Sequence, residues 1–171
     1  MKGFENEIYR WLLLASNVVA LFLLFVAIKW PHIARLLFFL LFAWACWMNW
    51  TTAIEKPQAY LDYADLTWSS WYADFIRGWF AKHLVSSVTF IAVCQGLIAC
   101  CMLLNGWLFK AGAAGAIFFL LAIVPFGVGS GFPTTLIMAV ALMIILIKNQ
   151  HDYLLRQNRK ERLHYTHIQQ K

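Results

Sequence analysis

The side chains of this chain that could carry chemistry fall at a few positions. Asn49, Tyr60, Tyr63, Trp71 and Gln95 combine hydrogen-bonding groups with flat aromatic surface, a pairing that lines sites for lipophilic small molecules. Thr51, Thr52, Asp62, Asp65 and His83 lie near them in the chain, and Ser130 and Thr134 complete the polar set. Metal chemistry has less to work with. His151, His164 and His167 are separated by 13 and 3 residues, which does not place three ligands on one helix. Cys46, Cys94, Cys100 and Cys101 all sit in apolar runs without CxxC or CxxH spacing, so they read as packing residues.

What must position these groups is a set of apolar segments. The chain has 171 residues, 62% hydrophobic and only 13% charged, with a net charge of +6. Soluble domains run at about 45–50% apolar and about 25% charged, so the solvent for most of this chain is lipid. The length allows one domain. Residues 11–28 carry no charge and as a helix would reach about 27 Å, close to a hydrocarbon core of roughly 30 Å. Acidic residues before this run and the lack of a small-x-small site near Ile28 argue for a retained span over a cleaved leader. Pro31 breaks the chain, and a second span is expected over 33–54, ending in Trp44, Trp47, Asn49 and Trp50 at the headgroups. Asn49-Trp50-Thr51 matches a glycosylation sequon but lies against the membrane.

Residues 55–83 interrupt the apolar pattern and are read as an external cap. Trp68, Trp71, Phe75 and Trp79 recur at helical spacing, which predicts an amphipathic interfacial helix over 68–79. Three more spans are expected, at 84–104, 107–126 and 132–147. Gln95 is the least lipid-compatible side chain deep in any of them and should point into the bundle. Gly96 with Cys100, and residues 112–116, form slim surfaces for close helix packing. The glycines of 125–133 resemble a phosphate loop, but no strand precedes them and no lysine or arginine lies among them, so a tight connection is the better reading.

The predicted fold is therefore an all-α, polytopic transmembrane helical bundle of five spans with an external amphipathic interfacial helix. Its parts are an N-terminal span and turn (1–32), a four-helix core (33–147) that includes the cap, and a basic tail (148–171). Lysine and arginine counts place the tail in the cytoplasm and the cap outside a cell membrane, with the N-terminus external. The basic residues after the last span suit anionic lipid, not nucleic acid. Asp, Glu, Lys, Arg and His are missing from the middle of every span, and His32 and His83 fall at opposite faces. Haem ligation, proton pumping and intramembrane hydrolysis all need such groups at depth, which argues against an enzyme.

Four features together resemble the DoxX-like superfamily of small four-helix membrane proteins. A core span ends in an aromatic segment with a proline, from Trp50 to Pro57. A long external segment follows at 60–80. Next comes a span running from Gln95-Gly96 to Asn105-Gly106. A small-residue span at 112–116 then leads to a last helix. The resemblance covers residues 33–147 and implies a membrane subunit that anchors or assembles a larger redox- or quinone-linked complex with a protein partner. Where the family carries an acid, the nearest polar residue here is Gln95, which weighs against proton-linked chemistry. The alternatives are a binding protein for a quinone or lipid under the cap and, behind it, a small transporter. The expected partners are the bilayer and a second protein or further copies of this chain.

Overall fold

The structure, a computed structural model, describes residues 7–148. Beyond Lys148 the basic tail, with its three histidines, lies outside the described residues. The fold is all-α. Helix α1 (Glu7–Lys29) and helix α2 (Pro31–Glu55) are separated by Trp30 alone. Proline disfavours helical geometry in the residue before it and is itself well placed to open a helix. Trp30 accordingly takes φ −137° and α2 starts on Pro31. The cap begins with a 3₁₀ turn (Pro57–Tyr60), then the short helices α3 (Tyr63–Leu66) and α4 (Ser70–Phe75), and a π-helical turn (Ile76–Phe80). Helix α5 (Leu84–Leu103) and helix α6 (Trp107–Ala122) follow, joined by Leu104 to Gly106. A 3₁₀ segment (Val124–Ser130) leads into α7 (Thr134–Lys148).

Among the described residues, three helices are long and apolar enough to cross a membrane: α1, α2 and α5. A fourth candidate is α6 taken with the 3₁₀ segment, but that pair bends by 80°. Against the five spans expected from the sequence, three to four candidates thus meet the length and hydropathy of a full crossing. Apolar character continues through Ile123 and Val124, whereas the α-helix stops at Ala122 because Pro125 has no N–H to extend it. Helix α7 has 15 residues, about 22 Å at 1.5 Å per residue, which is short of a full hydrocarbon core.

One core joins the long helices. Ala20, Leu23, Val26 and Ala27 of α1 are buried in the same cluster as Phe38 and Phe42 of α2, Met102 of α5, Ala116 of α6 and Leu142 of α7. The N-terminal helix packs along α7 and is built into the bundle. The most extensive helix pair is α2 with α5, where Gly96 lets Cys46 approach: a Cβ on Gly96 would lie 3.1 Å from the Cys46 sulfur. Cys100, expected to share that packing face, is instead exposed. Its neighbour Cys101 faces α6 at Gly112, where an added Cβ would fall 2.2 Å from the Cys101 Cβ.

The two ends of the bundle differ in chemistry. At one end lie the start of α1, the cap and the 3₁₀ segment, tied by a hydrogen bond from Thr134 Oγ1 to Ser16 Oγ at 3.0 Å. At the other, Lys148 Nζ donates to the Ile28 carbonyl at 2.5 Å. There too the Arg35 guanidinium, only 1% exposed, donates to the carbonyls of Met102 and Leu104.

Candidate functional site

The cap is shaped by its anchors to the 3₁₀ segment. Thr67, buried at the end of α3, donates its hydroxyl to the Pro125 carbonyl at 2.6 Å, and the Trp68 backbone N–H donates to the same oxygen at 3.3 Å. The Tyr72 hydroxyl donates to the Ala122 carbonyl at 2.8 Å, satisfying one of the open carbonyls that end α6. Trp68 packs edge-on against Phe132 with ring centroids 5.1 Å apart. It also lies over Gly127, which sits at φ +63°, a conformation glycine adopts without steric cost.

This arrangement corrects the expected helix over 68–79. Ser69 is the N-cap of α4, its hydroxyl accepting from the Tyr72 N–H at 3.4 Å, so Trp68 stands outside the helix. The apolar periodicity survives in a different set. Trp71, Phe75, Trp79 and His83 form a ladder of parallel rings, with centroids at 5.9, 5.7 and 4.6 Å. In an α-helix a step of four residues overshoots a full turn by about 40°. The wider π turn over Ile76–Phe80 turns less per residue and brings the fourth residue back over its predecessor. Trp71 and Trp79 are 65% and 56% exposed, so this ladder faces outward and does not roof an interior cavity.

Three of the five candidate residues meet in one hydrogen-bonded chain. The Tyr60 hydroxyl donates to Asn49 Oδ1 at 2.7 Å, and Asn49 Nδ2 donates to Gln95 Oε1 at 2.7 Å. Gln95 is buried, as its chemistry required, and α2 meets it with the complementary amide. The sequon reading of Asn49 gives way: its amide is engaged inside the bundle. Partial burial pushes the Tyr60 phenol above its ordinary value; its hydrogen bond with Thr52 opposes the shift and nearby Tyr63 adds to it. An amide relay of this kind holds α2, α5 and the cap in register, each membrane hydrogen bond contributing about 0.6 kcal/mol.

Tyr63 belongs to a different feature. Its ring lies alongside Tyr60 and Phe126, with centroids at 6.1 and 5.5 Å. Gly129 sits so close that an added Cβ would fall 2.5 Å from that ring. Tyr63 and Gly129 both line a cavity of about 540 Å³. Its first wall is α1, through Leu12, Leu13 and Ser16. The cap supplies Ala59, Asp62, Tyr63 and Leu66, and residues 128–131 close the third side. The volume is within the range of small-molecule sites, roughly 300–1,000 Å³, and the lining is mostly apolar with a few polar groups. Trp71, Asn49 and Gln95 do not line it. Asp65, further along α3, is paired with Arg77 at 2.5 Å on the exposed surface.

Sequence reasoning missed the α1 wall. Its signal was the pair Ser16-Asn17 within an otherwise apolar run. Both side chains bond back to the Leu13 carbonyl, at 2.9 and 2.8 Å, which lets polar groups sit in a lipid-facing helix. No grouping of three or more His, Cys, Asp or Glu suited to a metal occurs among the described residues. Comparison with protein-family models, with curated proteins and with solved structures finds no match for this chain.

Proposed function

We propose that this chain is a multi-pass membrane protein that binds a lipophilic small molecule, of the quinone or lipid class, in the cavity between α1, the cap and residues 128–131. The cavity is the observation that supports the reading. It has the size and apolar lining of a ligand site, and it lies where three separate stretches of chain converge at one end of the bundle. In this reading α6 and α7 also cross the membrane, making five passes, because they share one core with α1, α2 and α5. The lysine and arginine distribution supports a cap on the external face and a cytoplasmic C-terminus.

The test is the content of the cavity. Protein purified in mild detergent is expected to carry about one equivalent of a lipophilic molecule by native mass spectrometry. Ala59→Phe places a ring in the cavity from an exposed turn position and is expected to empty it. Identical bound material in the parent and in this variant would remove the reading.

A second reading has its own support. The exposed ladder of Trp71, Phe75, Trp79 and His83 suits an anchoring or assembling subunit of a larger membrane complex, of the DoxX-like type that the sequence resembles. In this version the protein leaves mild detergent with a partner, and Trp71→Ala together with Trp79→Ala releases that partner. A monodisperse chain of its own mass would retire this second reading.

A further inference from the structure

The polar groups around the cavity have a directionality that restricts what can occupy it. Ser16 Oγ donates its hydrogen to the Leu13 carbonyl at 2.9 Å and already accepts from Thr134 Oγ1 at 3.0 Å. Ser130 Oγ donates its hydrogen to the Gly127 carbonyl at 3.0 Å. The Gly131 backbone N–H is likewise committed, to the Val128 carbonyl at 3.0 Å. Both serine hydroxyls therefore offer lone pairs to the cavity and keep their hydrogens turned away. Asp62 adds a carboxylate, which only accepts when ionised; Tyr63 brings a phenol that can donate as well as accept, and none of the described lining residues is Lys, Arg or His.

An acceptor-rich lining discriminates between lipophiles of similar size. A quinone presents carbonyl oxygens alone, and a fatty acid presents a carboxylate. At Ser16, Ser130 and Asp62 both would set acceptor against acceptor, and the second would also set like charge against Asp62. A head that brings N–H or O–H groups meets complementary partners, and a positively charged head also meets the carboxylate. We infer that the cavity takes a lipophile with a hydrogen-bond-donating head, a long-chain primary amine before the corresponding alcohol. The inference rests on the reading of this cavity as a lipophile site and narrows its ligand class away from quinones.

The experiment compares chain-matched probes on the full-length protein in a non-ionic detergent: dodecylamine, dodecanol, dodecanoic acid and a decyl-substituted benzoquinone. Binding is read by native mass spectrometry and calorimetry at neutral pH. The amine is expected to bind most tightly, the alcohol next, and the acid and quinone least. Asp62 is solvent-exposed, so its carboxylate should contribute modestly: Asp62→Asn is expected to weaken the amine by about three- to fivefold and leave the alcohol unchanged. Raising the salt concentration on the unmodified protein should weaken the amine selectively, a readout independent of how the variant folds. Quinone or acid binding as tight as the amine would overturn the inference, as would an amine affinity indifferent to both Asp62→Asn and salt. Those results would leave the lipophile site standing, provided Ala59→Phe still abolishes binding. Failure of all four probes to bind would overturn the inference and the lipophile reading together.

Discussion

Arg35 is a cation sealed inside the bundle, and the groups that receive it are backbone carbonyls and a ring. Its Nε donates to the Met102 carbonyl at 3.1 Å and its Nη2 to the same oxygen at 2.8 Å, while Nη2 also reaches the Leu104 carbonyl. The guanidinium carbon lies 4.1 Å from the centre of the Phe109 ring, within range of a cation–π attraction. The last carbonyls of an α-helix lack intrahelical partners and carry the negative end of the helix dipole. A planar fork with several donors suits that position better than a point charge. One side chain thus joins the start of α2 to the end of α5 and the start of α6. Arg35→Ala would leave two carbonyls without these donors and open a void, at a combined cost of about 3–5 kcal/mol. Arg35→Lys keeps the charge without the fork and should lose about 1–2 kcal/mol. Reversible unfolding in mixed micelles checks both values, and an Arg35→Ala protein as stable as the parent would show the interaction to be idle. In the sequence Arg35 stands four residues after Pro31, near the start of the second span. Nothing in the local pattern says that the side chain turns inward.

Between elements, close approach is set by two glycines of α6 with opposite tolerances. A Cβ at Gly112 would lie 2.2 Å from the Cys101 Cβ, whereas at Gly115 the nearest atom is 3.8 Å away, on Ile98. Gly112→Ala must therefore push α5 and α6 apart, at about 1–3 kcal/mol. Gly115→Ala fills ordinary contact distance and gains helix propensity, a stabilisation of up to about 0.5–1 kcal/mol. Thermal unfolding of the two variants in one detergent should move in opposite directions, and equal shifts would contradict the packing. At this scale the long helices were legible because charge-free runs and prolines bound them. The slim surface at 112–116 was legible too, but not which of its members faces α5. The cap was less so: the spacing of Trp68, Trp71, Phe75 and Trp79 marked an aromatic face correctly in its middle. It could not reveal that Ser69 would cap a helix starting two residues later, at Ser70, or that a π turn would recruit His83 to the ladder.

At the scale of the whole molecule, the decisive feature is that α1 is a wall of both the core and the cavity. A four-helix unit over 33–147 with an added N-terminal span describes the sequence. In the structure Leu23 and Val26 are each 3% exposed and Ala20 and Ala27 are 0% exposed. That is why the candidate site was only half legible. Asn49, Tyr60 and Gln95 could be guessed to converge, because amides and phenols inside an apolar bundle need one another. Leu12 and Leu13 gave no comparable reason to look at α1, since apolar residues in a span satisfy lipid as well as they satisfy a neighbour, and Ser16 was the one polar hint among them. The same argument yields a test by division of the chain. Lipid is as apolar as the buried face of α1, so its attachment rests on close packing and on two bonds, Ser16 with Thr134 near its middle and Ile28 with Lys148 at its end. Co-expressed as two pieces cut at Trp30, residues 1–30 and 31–171 should co-purify and match the melting temperature of the intact protein to within a few degrees. Residues 31–171 alone should melt well below it and carry no lipophile in the cavity. A lone 31–171 fragment as stable as the whole chain would mean that α1 is a separate anchor, and the cavity an accident of its resting place.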